Sequence, residues 1–167
     1  MSAPEDLKDL YIDELKDLWS ANDQMLQSIK KLTTKSADKE LKESLTKTQE
    51  GIVKHTAMLK ELISSNGEKV SKEHCKGMQG LVAEATKHTT EEAPKKGPIL
   101  DAVIIAQYQR MTHYGIAGFG TAGAYAKALG LKEDVASLKL AVKEMYGSDE
   151  YMSKLAAGLS KIPSKGE

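Results

Sequence analysis

The run Gly118-Phe119-Gly120-Thr121-Ala122-Gly123 spells GFGTAG, the letter pattern of a dinucleotide-binding turn. That chemistry needs a strand feeding a glycine turn and a helix whose free amides face a pyrophosphate. The β-branched cluster Val103-Ile104-Ile105 lies well upstream, and the intervening AQYQRMTHY is ordinary helical sequence, so no nucleotide cofactor is expected. Other chemistry is offered by polar residues that interrupt apolar helical stripes: Asn22, Thr48, His55 and Asp149. Each is expected to be at least partly buried and to need a partner. Counting outward from a turn at Gly130, His113 and Asp149 stand at similar heights on antiparallel helices, a pair suited to a hydrogen bond or to a metal ion. Bundle cores build metal sites from such carboxylates and histidines on facing helices. No Glu-x-x-His pair occurs on a main helix, however, and a His-Asp hydrogen bond with solvated edges is the favoured account. Glu14, Glu50 and Glu144 read as nearby charges, His74 and His88 as surface residues of a polar connection, and Cys75 as a packing thiol with no base beside it.

The elements that would position these groups are helices. Leu7, Leu10, Leu15, Leu18, Met25, Ile29 and Leu32 recur at helical spacing, with Ser2, Pro4 and Glu5 forming a capping box at the start. Leu41, Leu45, Ile52, Leu59 and Leu62 mark a second helix, introduced by Ser36-Ala37-Asp38 and ended by Asn66-Gly67. Residues 68 to 97 form a polar crossover with one short periodic piece, Met78, Leu81, Val82 and Ala85. Gly97-Pro98 opens a third main helix that closes at Gly130, about 45 Å long at the usual rise. Val135, Leu138, Val142, Met145, Met152, Ala156 and Leu159 define a fourth, stopped by Pro163. On the third helix Gly115, Gly118, Ala122 and Ala126 share one face. Interior glycines cost about 1 kcal/mol each relative to alanine, so the glycine-rich face is expected to pack against a neighbouring backbone, within the bundle or across a subunit interface. Trp19 and the tyrosines at 108, 114, 125, 146 and 151 are read as core or interface aromatics.

The chain of 167 residues is expected to form one domain over 1–163 with a short tail at 164–167. Twenty-four lysines and arginines balance 24 aspartates and glutamates, and no basic stripe is interleaved with aromatics, so nucleic acid is not an expected partner. A single cysteine and an acidic amino terminus point to a soluble protein of the reducing cytoplasm. No apolar run is long enough to span a membrane. The fold class is all-α, a four-helix bundle with a long crossover containing a short extra helix.

Four stretches carry a family resemblance over nearly the whole chain: LYIDELKDLWSANDQML at 10–26, HCKGMQGLVAEA at 74–85, DAVIIAQYQRMTHYGIAGFGTAGAYAKALG at 101–130 and SDEYMSKLA at 148–156. They resemble the YciE/YciF family of ferritin-like proteins, the third stretch most specifically. The resemblance implies a ferritin-like bundle, a homodimer, a bacterial stress-response setting and a dinuclear centre of iron or another divalent metal ion. The sequence departs from that pattern where the metal would be held. Asn22 stands where relatives often have glutamate, Gly51 and His55 where they have an acidic and amide pair, and Thr112 and Gly115 where they have two glutamates. What the resemblance leaves as metal ligands is His55, His113, Glu144 and Asp149, with Glu50 beside the Gly51 position. Two alternatives follow: a rearranged site, or a metal-free structural or interaction protein that acts as a homodimer.

Overall fold

The computed structural model describes residues 3–158, folded as α1 (Leu7–Lys35), α2 (Lys39–Ser65), α3 (Lys76–Thr86), α4 (Pro98–Ala128) and α5 (Lys132–Ala157). Among the described residues every regular element is helical. The helices α1, α2, α4 and α5 form the bundle: α1 packs on α2 and α4, and α5 on α4 and α2. The crossover lays α3 against α1 and α4, and α3 runs on into a π-helical turn at Lys87–Glu91 that the periodicity did not announce.

Acidic residues in the first turns of α4 and α5 tie the α4–α5 hairpin to the α1–α2 hairpin, one at each end of the bundle. Asp101 of α4 is buried and accepts from the Ala37 and Asp38 amides at 2.9 and 3.0 Å and from the Ser36 hydroxyl at 3.0 Å, tying α4 to the α1–α2 turn. Asp134 of α5 accepts from the Tyr11 hydroxyl at 2.8 Å and the Asn66 side-chain amide at 2.9 Å, joining α1, α2 and α5 at the opposite end. Negative charge at a helix N-terminus is also favoured by the helix dipole. The carboxy ends of α2 and α4 share one device. Gly67 and Gly130 take φ of +80° and +76°, and the amide after each bonds back to Ile63 and Ala126 at 3.2 and 2.9 Å, so the last carbonyls are satisfied.

Two local expectations need correction. The cap of α1 is Asp6, whose side chain accepts from the Asp9 amide at 2.9 Å, while the Glu5 amide donates to the Asp9 carboxylate. The acidic pair at Asp6 and Asp9 wins because a carboxylate is at least as good a cap as serine and brings charge to the dipole; Ser2 lies outside the described residues, as do Leu159, Pro163 and the tail. Leu10 is 40% exposed, and Tyr11 and Ile12 take its place in the core, with the Tyr11 hydroxyl reaching Asp134.

The core is divided along the bundle axis. One cluster holds Tyr11, Leu15, Leu18, Leu59, Ile63, Phe119 and Leu138; the other holds Met25, Ile29, Leu45, Ile104, Tyr108, Met111 and Met152, with Met78 of α3. Each fully buried side chain of this size contributes about 1.5–3 kcal/mol. At the boundary of the two clusters on every bundle helix lie polar or small residues: Asn22 on α1, His55 and Thr56 on α2, Thr112 and Gly115 on α4, and Glu144 on α5. This mid-bundle layer is where the chemistry of the chain is concentrated.

Candidate functional site

The layer surrounds a cavity of about 70 Å³ lined by Asn22, Thr48, Gly51, His55, Thr112, Gly115 and Glu144, with Met25, Ile52, Met78, Tyr108 and Met145 as its largely apolar wall. Periodicity explains the placement, since Asn22 falls between Leu18 and Met25, and His55 between Ile52 and Leu59, all core positions of their helices. Asn22 donates to the Thr56 hydroxyl at 3.2 Å. The Thr112 hydroxyl, on a residue 3% exposed, has no hydrogen-bond partner.

His55 is 7% exposed, lies tilted at 57° against Phe119 with ring centres 5.7 Å apart, and meets Glu144 with its Nε2 at 2.8 Å. The second Glu144 oxygen accepts from the Lys54 ammonium at 2.6 Å. Both oxygens are therefore engaged. Lys54 first and His55 second hold the Glu144 carboxyl below the usual carboxylate range. His113 and Asp149 do meet, at 3.0 Å, as counting from Gly130 indicated, but His113 is 57% exposed and the pair lies on the α4–α5 surface, where Gln109 also donates to Asp149 at 3.1 Å. The four predicted ligands thus form two separate pairs. Among the described residues no three His, Cys, Asp or Glu side chains gather as a metal-holding group.

Small residues shape the same region. A β-carbon at Gly118 would lie 2.5 Å from a Leu18 methyl and 3.0 Å from a Glu14 oxygen, so what fills the room left by the glycine is the side chains of α1 and not, as expected, a neighbouring backbone. At Gly115 it would meet the Met145 sulfur at 3.2 Å. Ala122 and Ala126, further along that face, are fully buried. Gly120 is different: it is exposed with open space around it, and so is not part of the packed face. The GFGTAG run is continuous α-helix, and among the described residues no strand precedes it.

Sequence reasoning missed a side-chain chain beside this site. Tyr114 donates to Asp17 at 3.1 Å, and the Cys75 sulfur lies 2.9 Å from the Tyr114 hydroxyl. Since the tyrosine proton is committed to Asp17, the thiol donates to the tyrosine oxygen, while the Met78 amide donates to the sulfur at 3.4 Å and makes Cys75 the cap of α3. Burial pushes both the thiol and the tyrosine up, so both stay protonated. Cys75 packs and caps; His74 and His88 lie toward solvent, bonded to Gln79 and Glu84. The one signal in the sequence was the position of Cys75 just before the Met78 stripe, where a cap belongs.

A family model described as a domain of unknown function (DUF892) matches residues 6–162. The chain belongs to the DUF892 family. It is 26% identical over 162 residues to Protein YciF of Escherichia coli (strain K12), covering 96% of this chain and 95% of that protein. The solved structure of the E. coli stress protein YciF superposes with a TM-score of 0.88 at 25% identity, covering 96% of this chain and 100% of the other. A protein named YcfI from Rhodopseudomonas palustris gives 0.82 at 27% identity, with 96% of each chain covered. The fold is a ferritin-like four-helix bundle and the chain is a YciF-type DUF892 protein, as the four sequence stretches implied. Among the described residues no helix is long and apolar enough to cross a membrane.

Proposed function

We propose that this DUF892 protein is a cytoplasmic stress-response protein that has kept the ferritin-like bundle without its dinuclear metal chemistry and acts by association as a homodimer. The observation that carries this reading is the engagement of Glu144. Its two oxygens are taken by the buried His55 and by the solvent-exposed Lys54, so the one carboxylate of the layer is already paired on both sides where a hard cation would need it free. Two adjacent divalent ions need several bridging carboxylates to hold and neutralise them. Asn22, Gly51, Thr112 and Gly115 supply none, and His113 and Asp149 lie apart from the cavity. The residues present do not fit a dinuclear centre of iron or another hard divalent metal.

Association is supported by Val53 of α2 and by Leu140, Tyr146 and Tyr151 of α5, large apolar side chains that the single chain leaves exposed. Leu140 and Tyr151 point to the same side of α5, eleven residues apart, while Tyr146 points about 120° away at helical periodicity, so they offer separate apolar anchors for a partner and not one patch. The relation to a stress protein sets the cellular context, and the Rhodopseudomonas palustris relative, provisionally described as a structural protein, fits a non-catalytic role. Light scattering across a concentration series should give twice the mass of the chain. A monomer throughout would remove the association half of the proposal. Ferrous or manganous ion should leave the melting temperature where it is, since an ion bound only by the folded state would raise it.

A further inference from the structure

We propose that the mid-bundle cavity is a binding site for a soft monovalent metal ion, Cu(I) or its analogue Ag(I), held by the thioethers of Met25, Met78 and Met145. This goes beyond the loss of the hard-metal centre and does not depend on how the chain assembles. Three of the seven methionines of the sequence line this one cavity, and they arrive from three different helices, α1, α3 and α5. A thioether is a neutral, polarizable donor that suits Cu(I) and is a poor ligand for Mg(II), Mn(II) or Fe(II). The donor set that fails for two hard cations is therefore chemically matched to one soft one.

Three further features fit a guest in this place. Gly115 has no side chain where a β-carbon would meet the Met145 sulfur at 3.2 Å, so the glycine leaves the thioether its room beside the cavity. Thr112 lines the same cavity, and its hydroxyl, on a residue 3% exposed, has no protein partner. The volume, about 70 Å³, accommodates an ion with one small co-ligand. Desolvation favours a single positive charge, because the cost of bringing an ion into a low-dielectric site grows with the square of its charge. Glu144 is already paired with Lys54 and His55 and Lys47 also borders the cavity, so the neutral thioethers carry the binding and Glu144 does not need to become a ligand.

Cys75 is the competing soft donor, so the full-length chain is tested as Cys75→Ser, which keeps a good capping residue at the start of α3. In chloride-free buffer, Ag(I) titration read by native mass spectrometry and calorimetry should show one ion per chain. Anaerobic Cu(I) competition against a chromogenic chelator should agree. Met25→Leu with Met145→Leu in the same background should weaken binding at least tenfold with the melting transition retained, while Met58→Leu, outside the cavity, leaves it unchanged. No binding in the Cys75→Ser chain, or undiminished affinity in the double methionine variant, overturns the proposal. Should the double variant not fold, X-ray absorption of the Cu(I)-loaded Cys75→Ser chain decides: two or more sulfur neighbours support the site, and nitrogen and oxygen neighbours alone refute it.

Discussion

Glu144 carries most of the argument about what the mid-bundle layer can do, and its environment makes a pH-dependent prediction. Its folded-state carboxyl is held below the ordinary range, chiefly by Lys54 and then by His55. A depressed acid contributes stability that is present above its unfolded value and lost as pH falls through the folded one. Glu144→Gln should therefore cost on the order of 1 kcal/mol or less at neutral pH, because the Lys54 pair is solvent-exposed, and that cost should fade in acid. Urea melts from pH 7 to 3 would show it as two curves that converge. Glu14 behaves oppositely. Burial, and then the nearby Asp17, raise its carboxyl. A raised acid destabilises the fold at neutral pH and relieves that as it protonates, so Glu14→Gln should raise the melting temperature at pH 7 with the gain vanishing toward pH 4. A loss at pH 7 would show that Glu14 has a partner in solution. At this scale the sequence was partly legible. Stripe periodicity placed His55 inward and counting from Gly130 paired His113 with Asp149. Lys54 could not be read as the occupant of Glu144, because that contact depends on the rotation of α2 against α5, which no local pattern encodes.

The small-residue face of α4 was legible as an element, and its energetics differ from glycine to glycine. Gly118→Leu should destabilise by about 1–3 kcal/mol or more, since even the first added carbon meets Leu18 at 2.5 Å and overpacking a filled core costs that much. Gly120→Ala should do the reverse, adding up to about 1 kcal/mol, because the position is helical, exposed and open. Thermal melts of the two variants would separate packing from propensity; equal effects would mean that the face is not set by its contact with α1. The hairpin tie at Asp101 belongs here too. Asp101→Ala removes a charged acceptor from the Ser36 hydroxyl and two backbone amides and should cost about 2–3 kcal/mol, with Asp101→Asn costing less. Helix ends with glycine in the left-handed region, Gly67 and Gly130, were readable directly from the sequence. The α1 start was not, because Ser2-Glu5 and Asp6-Asp9 both spell plausible caps and only packing of Tyr11 against Asp134 selects the second register.

For the molecule as a whole, four long stripes and one polar crossover were enough to reach the bundle, and the family relationship agrees with that reading across residues 6–162. Function was harder to read for a physical reason. A ferritin-like bundle is specified by its apolar faces, whereas its chemistry depends on a few inward positions that can change without disturbing those faces. Here Asn22, Thr112 and Gly115 fill such positions, the core on either side is complete, and Lys54 closes on the remaining carboxylate. The most direct test is metal content. Untagged protein purified without chelator, then reconstituted anaerobically with Fe(II) and separately with Mn(II) and desalted, should retain far less than one equivalent of either by elemental analysis. Two tightly held equivalents per chain would contradict the account and return this protein to the dinuclear metal chemistry of its fold.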